Sequence, residues 1–335
     1  MLRDIFSCTN YFLFVAGIIL IWGCTSKPRV IQKGFYSWKS DQSYYPSENI
    51  AQIVDTLQIK RIYRRMFDVD WNEYRGAIPI SITETYGDWP NSLEFVPVIF
   101  ITNKSLERTE ITDIEKLAFK IHKKVKARQN GEIKEFQLDC DWNSTTKVKY
   151  FLLIGYMRKL FSPAKISVTL RLHQFRYPEK TGVPPADKVV LMFYNMSNVN
   201  SLDTKNSILD VDEAKKYLKN AKKYPLKLDI ALPVFSWGVV FRYGKFLVLL
   251  NEFDSDKAKT LDFLKRAGET LFSFTKDTVW RDIFFREGDE IRIEEPNYEE
   301  LEKAANLTKD IADNDTLNVI LYHLDEELVK KYGYE

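Results

Sequence analysis

The sequence contains few of the residues from which metal centres, disulfides and phosphate loops are built. Its 335 residues include three histidines and three cysteines, and the histidines at 122, 173 and 323 form no metal-ligand spacing. It has no glycine-rich phosphate loop and no G-x-S-x-G elbow. We therefore predict neither a bound metal nor a cofactor.

The sequence also lacks an excess of positive or negative charge. The 49 basic and 47 acidic residues leave a net charge of +2, which gives no electrostatic footprint for nucleic acid. By contrast, 45% of the residues are hydrophobic and 14% are aromatic, enough for a full core. A chain of this length fits one large α/β barrel or two ordinary domains.

The first 23 residues resemble a lipoprotein signal peptide. Residues 11–22 form an apolar run that is short for a membrane span, and Ile21-Trp22-Gly23-Cys24 is similar to a bacterial lipobox. We predict lipidation of Cys24, a polar tether over residues 24–32 and attachment to a membrane of the bacterial cell envelope. The alternative is an uncleaved membrane anchor with an incidental cysteine, which would also export and tether the protein.

Only one cysteine remains after this leader is removed and Cys24 is lipidated. Cys140 lies among apolar residues of a predicted strand. A disulfide framework is therefore excluded. We interpret Cys140 as a small buried hydrophobe and not as a nucleophile.

Strand-like and helix-like segments alternate along residues 33–335. Helices are predicted between most of the strands, for example over 47–58, 112–128, 144–161 and 211–222. Such alternation favours a parallel sheet, and eight strands predict an α/β fold of the (β/α)8 TIM barrel type. The predicted strands are 34–38, 61–69, 95–102, 135–141, 165–173, 188–196, 227–235 and 318–324.

Two segments depart from this regular pattern. Residues 70–93, after the second strand, contain prolines, a glycine and several aromatics, which predicts a long loop or a small excursion. Residues at about 238–317 form a predicted insertion between strands 7 and 8. Within it we expect a hairpin over 241–250 and helices over 257–265 and 297–312.

Polar and aromatic residues gather at the predicted carboxyl ends of the strands, where (β/α)8 barrels have their active sites. The fourth strand places Asp139 and Asp141 on one face and apolar residues on the other. Two carboxylates are costly in a dry interior, so this pair favours a wet cleft. The other candidates at this end are Trp38, Asp68, Asp70, Trp142, Asn143, Arg171, His173, Tyr194, Asn195 and Trp237.

Each of these candidates also has a structural interpretation. Arg171 is either a substrate ligand or the counter-ion of Asp139 or Asp141. A histidine at position 173 is more often structural and a tyrosine at position 194 is more often a core aromatic, and the aspartates at 68 and 70 would also serve as caps of the next segment. The convergence of six strands on one end of the barrel favours function.

Three short motifs resemble family-18 glycoside hydrolases, the chitinases and endo-N-acetylglucosaminidases. Asp139-x-Asp141-Trp142-Asn143 is similar to the D-x-D-x-E signature of that family, and Met192-x-Tyr194-Asn195 is similar to its M-x-Y-D. Residues 232–235, Leu-Pro-Val-Phe, are similar to its strand that ends in proline and an aromatic. The chain also resembles a group of bacterial barrel lipoproteins. The resemblance implies a TIM barrel that acts on a glycan.

Two positions depart from the motifs of that family. Asn143 stands where the family has its general-acid glutamate, and Asn195 stands where it has an aspartate. Because an amide donates no proton at neutral pH, the acid is either reassigned or absent. The candidates for a reassigned acid are Asp68, Asp70, Glu84 and Asp141.

Three hypotheses follow. In the first, the protein is a lipid-anchored glycoside hydrolase-like enzyme in which Asp141 is the acid/base or positioning group and Asp139 tunes its protonation. Arg171 and Tyr194 then hold the substrate. In the second, a non-catalytic envelope lipoprotein binds a glycan or peptide in the same cleft, and in the third the barrel is an assembly scaffold. The hydrolase hypothesis also predicts that sugar rings stack on Trp38, Trp142 and Trp237.

Overall fold

The structure is a computed structural model in which residues 29–38, 48–81, 93–129, 131–309 and 311–324 are described. The predicted leader, Cys24 and Glu84 lie outside these ranges. Within them, no helix combines the length and the apolar character that crossing a membrane requires.

The strands and helices follow the predicted alternation. In chain order the strands are β1 (Val30–Ser37), β2 (Arg61–Asn72), β3 (Gly76–Ile80), β4 (Glu94–Ile101), β5 (Glu135–Asp139), β6 (Lys165–Arg171), β7 (Lys188–Met192), β8 (Lys227–Pro233), β9 (Trp237–Arg242), β10 (Lys245–Asn251), β11 (Leu264–Arg266), β12 (Leu271–Phe274), β13 (Thr278–Trp280), β14 (Ile283–Phe285), β15 (Glu290–Glu294) and β16 (Thr316–Tyr322). The helices are α1 (Glu48–Thr56), α2 (Asn103–Arg108), α3 (Ile114–Lys126), α4 (Lys147–Leu160), α5 (Leu172–Arg176), α6 (Pro178–Thr181), α7 (Val211–Leu218), α8 (Ser255–Thr260) and α9 (Tyr298–Lys309).

Eight parallel strands form a closed barrel. They pair in the order β1-β2-β4-β5-β6-β7-β8-β16, and β16 pairs with β1 to close the ring. The predicted (β/α)8 fold is therefore confirmed. One boundary differs, because Val30 already pairs with Thr316, so residues 30–32 of the predicted tether belong to the first strand.

The core lies between the barrel and its surrounding helices. The buried side chains of α3 recur at helical spacing, as Ile114, Leu117, Ala118, Ile121 and Val125. They belong to the same buried cluster as Phe136 and Leu138, which face outward from β5. Apolar residues of β5 therefore hold the helical layer, and its polar residues are left for the barrel interior.

The interior of the barrel contains an ionic layer formed by Glu135, Lys188 and Asp229. The Lys188 ammonium lies 2.8 Å from Glu135 Oε2 and 2.7 Å from Asp229 Oδ2. Burial alone lowers the pKa of Lys188, but Tyr63 and the two carboxylates raise it above its usual value. The second positive charge comes from Arg61, whose Nη1 lies 3.0 Å from Glu135 Oε2, so the buried carboxylates of this layer are compensated.

A second polar layer lies above the ionic layer. The Tyr36 hydroxyl donates a hydrogen bond of 2.8 Å to Gln137 Oε1, and Gln137 Nε2 donates one of 3.3 Å to Ser167 Oγ. The inward side chains of β5 are therefore Glu135, Gln137 and Asp139 in ascending order, as the alternation of a strand requires.

The segment after the second barrel strand is in part a hairpin. β2 continues to Asn72, and β3 pairs with it in antiparallel register. Asn72 Oδ1 accepts hydrogen bonds from the backbone N–H groups of Tyr74 and Arg75. The excursion predicted over 70–93 is thus a β-hairpin in its described first part.

The predicted insertion lies between β8 and β16. It forms a five-stranded antiparallel sheet, β10-β9-β15-β12-β11, and a separate β13–β14 hairpin. The hairpin predicted over 241–250 is present as β9 and β10, with Tyr243 and Gly244 at φ of 51° and 72° in the turn. The helix predicted over 257–265 ends at Thr260, because residues 264–266 pair with β12 as an edge strand.

One buried carboxylate connects the insertion to the barrel. Glu294 of β15 accepts hydrogen bonds from Trp237 Nε1 at 2.8 Å, from the Ser207 backbone N–H at 2.8 Å and from Arg292 Nε at 2.7 Å. Ser207 belongs to the loop after β7. The insertion, this loop and the start of β9 are therefore held together at a single side chain.

Candidate functional site

Asp139 ends β5 inside the mouth of the barrel. Its side chain is buried, and the Thr169 hydroxyl of β6 donates a 2.6 Å hydrogen bond to Oδ1. Burial, and then the nearby Asp141 carboxylate, raise the pKa of Asp139 to about 7, although Thr169 and Arg171 oppose this shift. Asp139 can therefore hold or release a proton near neutral pH.

Asp141 lies two residues further along and reaches solvent. Its side chain is 48% exposed, and Arg171 Nη1 donates a 2.9 Å hydrogen bond to Oδ2. Its backbone carbonyl accepts a 2.7 Å hydrogen bond from Asn103 Nδ2. Asp141 is thus the member of the pair that a ligand can touch, and Arg171 is its counter-ion, as one interpretation of the sequence anticipated.

Asn143 is occupied by the turn that leads into α4. Its Oδ1 accepts hydrogen bonds from the backbone N–H groups of Thr145 at 2.8 Å and Thr146 at 3.1 Å. Its own N–H donates to Thr146 Oγ1 at 3.0 Å. The side chain therefore stabilises the start of a helix, which is a common use of asparagine.

Trp142 is buried in the core, which contradicts its predicted role in sugar stacking. Its ring is 2% exposed and stacks on Tyr150 at 5.4 Å, and Nε1 donates a 3.2 Å hydrogen bond to the Thr181 carbonyl. The reason lies in the alternation, since Trp142 has the same parity as the outward residues Leu138 and Cys140.

We expect Trp142→Ala to destabilise the protein by about 3–5 kcal/mol, because it removes a large buried ring and leaves a cavity. Urea unfolding followed by circular dichroism measures this loss. Trp38→Ala serves as the control, and its cost should be smaller because that ring is only partly buried. Equal losses for the two variants would contradict the placement of Trp142 in the core.

An aromatic rim surrounds the mouth, formed by Trp38, Tyr194, Phe235, Trp237 and Tyr322. The Tyr322 ring lies 5.8 Å from Trp38, 5.5 Å from Tyr194 and 5.5 Å from Phe235, and Phe235 lies 5.2 Å from Trp237. Three of the five were predicted site residues. Tyr322 and Phe235 were not, although both are aromatics at predicted strand ends.

The rim and the carboxylates share one electrostatic environment. Burial and then the charge of Asp139 raise the pKa of Tyr322, and Arg65 opposes this effect. Burial raises the pKa of Tyr194, and Tyr322 and Asp139 add to the rise. The rings at the ends of β7 and β16 are therefore close to the acidic pair.

The two aspartates of β2 differ in their surroundings. Asp68 is buried and accepts a 2.6 Å hydrogen bond from Arg65 Nε, and its charge contributes to the raised pKa of Asp139. Asp70 accepts a 2.7 Å hydrogen bond from the Thr102 hydroxyl. Burial raises the pKa of Asp70, but hydrogen bonds from Thr102 and the Trp71 backbone lower it overall. Asp68 thus belongs to the acidic group, whereas Asp70 contacts the end of β4.

The end of β6 lies earlier than predicted. β6 ends at Arg171, and His173 is an exposed residue of α5. Burial and then Arg171 lower the pKa of His173, and Asp141 opposes the shift, so the ring remains close to this pair. Gln174, which sequence reasoning missed, accepts a 2.8 Å hydrogen bond from the Arg171 backbone and donates one of 3.0 Å to the Trp142 carbonyl. It fixes the ends of β5 and β6 relative to each other.

Asn195 follows the end of β7 in a left-handed conformation, with φ of 54°. Asparagine tolerates this region better than most residues. Its Oδ1 is buried, and no hydrogen-bond donor for it is found among the described residues. It is therefore a buried acceptor that the described residues leave unsatisfied.

The raised pKa of Asp139 predicts a pH-dependent stability. The carboxyl group has a pKa of about 7 in the folded protein, well above its usual value of 3.8. The contribution of this group to the free energy of unfolding is fully present below about pH 4 and is lost as the pH rises to about 7. The reason is that, as the pH rises, the carboxyl group loses its proton in the unfolded chain before it does so in the folded protein. We expect Asp139→Asn to remove this loss, measured by urea unfolding at about pH 5 and pH 8. Parallel pH profiles for wild type and variant would refute the assignment; Asp256→Asn, at an exposed site, is the control.

Comparison with known proteins finds the same barrel fold in solved structures of low sequence identity. No protein-family model and no curated protein matches the sequence. The Bacillus cereus spore cortex-lytic enzyme SleL is similar with a TM-score of 0.51 and 12% identity, over 90% of this chain and 74% of that one. Chitinase ChiA74 from Bacillus thuringiensis has a TM-score of 0.51 and 10% identity, over 88% of this chain and 66% of that one. The Ostrinia furnacalis Group IV chitinase has a TM-score of 0.50 and 9% identity, over 88% of this chain and 92% of that one. The expected distant resemblance to family-18 barrels is thereby confirmed at the level of the fold.

Proposed function

We propose that the protein is an exported, lipid-anchored glycoside hydrolase-like barrel that acts on a glycan at the carboxyl end of its strands. The observation that carries this proposal is the pair formed by Asp139 and Asp141. The first is buried with a pKa of about 7, and the second is exposed in a mouth surrounded by aromatic rings. Proton exchange beside a stacking surface is what cleavage of a glycosidic bond requires.

The arrangement assigns a role to each group. Sugar faces stack on the partly exposed rings of the aromatic rim, Trp38, Trp237 and Tyr322, and the buried rings of Tyr194 and Phe235 support them. Asp141 contacts the glycosidic oxygen as acid/base, and the nearby Asp139 carboxyl group tunes that proton exchange through its charge. Arg171 holds the Asp141 carboxylate in place through its 2.9 Å contact. Asn195 Oδ1 accepts a hydrogen bond from the sugar.

The lipid anchor is proposed from the similarity of residues 21–24 to a lipobox. In this proposal Cys24 becomes the first residue of the mature chain and carries the lipid that attaches it to a membrane of the bacterial cell envelope. Mass spectrometry of the purified protein tests it. A lipid mass on the Cys24 peptide is expected, and an intact leader in the mature chain would reject cleavage.

Hydrolysis is tested with oligomers of N-acetylglucosamine and with peptidoglycan. We expect new reducing ends, detected by mass spectrometry of the products. Failure to release product from any glycan that the protein demonstrably binds would reject hydrolysis.

A second candidate function is glycan binding without cleavage. The observation in its favour is Asn143, whose amide is used by the turn before α4 and supplies no proton donor. This function predicts saturable binding on a glycan array without product. Detection of cleavage would reject it.

A further inference from the structure

The end of the barrel opposite to the candidate site carries a marked excess of positive charge. At that end the chain turns from a helix back into the next barrel strand. Three of these turns, with the helix ends beside them, span residues 123–134, 158–165 and 219–227 and contain twelve lysines and arginines but one glutamate. We call these three segments the basic face.

The charges of the basic face are mostly in contact with solvent. Lys123, Lys126, Lys159, Lys219 and Lys222 are all exposed. Two other members of the basic face are compensated by acidic neighbours, since Arg158 pairs with Asp187 and Lys223 pairs with Asp313.

The other turns at this end do not cancel the charge. Among the described residues they add the basic residues Lys60 and Lys309 and the acidic residues Asp55, Asp187, Asp313 and Asp315, of which Asp187 and Asp313 form the two ion pairs just given. Because the net charge of the whole chain is only +2, the rest of the sequence has a negative excess. Positive charge is therefore concentrated at this end of the barrel, and a charged surface would orient the protein.

The chain enters the barrel at this same end. Arg29 Nη1 donates a 2.8 Å hydrogen bond to the Lys309 carbonyl, and Nη2 contacts the Ala312 carbonyl, which holds the chain against the turn before β16. The next residues, Val30 and Ile31, are 54% and 48% exposed. Arg29 follows Cys24 by five positions, a reach of at most about 18 Å.

We propose that the basic face docks on an anionic lipid surface, and that the barrel consequently stands with its candidate site facing away from the membrane. Basic groups close to an anionic leaflet are attracted to its headgroups, and the short tether keeps the basic face within reach of them. The inference rests on the lipid tether of the proposed function and is independent of hydrolysis. It implies that the cleft takes a glycan presented from the far side, not a saccharide linked to lipid in the same membrane.

The orientation is tested with the lipidated protein on vesicles. A donor dye is attached at Ala127→Cys on the basic face or at Ser144→Cys beside the mouth, and energy transfer to an acceptor lipid is measured. Native Cys140 is buried, so the label goes to the introduced cysteine. The vesicles contain phosphatidylglycerol or, for comparison, only phosphatidylcholine, and flotation measures the bound fraction.

On phosphatidylglycerol, we expect transfer from position 127 to exceed transfer from position 144 several-fold. On phosphatidylcholine the ratio should approach one, because the tether alone does not orient the barrel. Reversal of four charges of the basic face should abolish the difference, whereas reversal of four exposed lysines elsewhere should preserve it at the same net charge. The first variant combines Lys123→Glu, Lys159→Glu, Lys219→Glu and Lys222→Glu. The second combines Lys104→Glu, Lys205→Glu, Lys245→Glu and Lys265→Glu. A cooperative thermal unfolding transition in each variant serves as the check that it is folded.

Equal transfer from the two positions on phosphatidylglycerol overturns the docking proposal, as does a loss of the difference in the second variant. Flotation on both lipids with equal transfer would refute docking while leaving the tether in place. If the protein floated with neither lipid, both the docking and the lipid tether would be refuted. If the basic face bound soluble polyglutamate but gave equal transfer on vesicles, its partner would be an acidic polymer, and docking on lipid would be rejected.

Discussion

Asp141→Asn is expected to reduce glycan turnover by about 10²- to 10⁴-fold, the usual contribution of a general acid or base. The reason is the exposure of this carboxylate at the mouth, where it contacts Arg171 and lies close to the protonatable Asp139. Asparagine has nearly the same shape and can still accept the hydrogen bond from Arg171. Glycan affinity should therefore be largely retained while turnover is lost.

The measurement is kcat and KM on a cleaved oligosaccharide, with the dissociation constant determined separately. A fall in kcat with little change in affinity is the signature of an interaction made in the transition state. Asp262→Asn, an exposed aspartate of the insertion that pairs with Lys276, is the matched control and should retain full turnover. Unchanged turnover in Asp141→Asn would show that another group is the acid/base.

Lys188→Ala is expected to cost about 3–5 kcal/mol of unfolding free energy, because it breaks a buried ion pair by removing one partner. The variant leaves the Glu135 and Asp229 carboxylates buried without the ammonium that lies within 2.8 Å of both. Asp229 is then a buried carboxylate without its ammonium, whereas Glu135 keeps its contact with Arg61, so protonation at low pH should relieve part of the loss, mainly at Asp229. The deficit relative to wild type should therefore be smaller near pH 4 than near pH 8.

Urea unfolding of wild type and variant at both pH values tests this prediction. Lys180→Ala, in the exposed helix α6, is the control and should change stability by less than about 0.5 kcal/mol. Neutralising all three charges as Lys188→Met, Glu135→Gln and Asp229→Asn should recover most of the loss, since no charge is then left unpaired. A pH-independent deficit in Lys188→Ala would mean that lost packing, and not the ionic layer, determines its stability.

The periodicity of the sequence was sufficient to predict the barrel. Each predicted strand overlaps an observed one, because the two-residue alternation and the intervening helices are local properties of the chain. The same alternation identified Asp139 as an inward residue of β5. The alternation also indicates that Trp142 faces outward, because an even number of positions separates it from the outward residues Leu138 and Cys140.

Other parts of the site depend on contacts that no local pattern encodes. The pairing of Lys188 with Glu135 and Asp229 joins three different strands. The role of Asn143 depends on where β5 ends, and strand ends are set by pairing with neighbours. Gln174 acts only because two loops meet at its side chain. These features are consequences of closing the barrel.

Glu294 has a consequence for how one wall of the cleft recognises its ligand. Its carboxylate holds the Trp237 ring, the loop at Ser207 and the guanidinium of Arg292 through direct hydrogen bonds. The tryptophan is therefore fixed before a sugar arrives and loses little rotational freedom when one binds. Such preorganisation lowers the entropic cost of association. Under the proposed function, it would also make this wall selective for shape, since a rigid ring accepts a flat sugar face and cannot adjust to a bulky substituent.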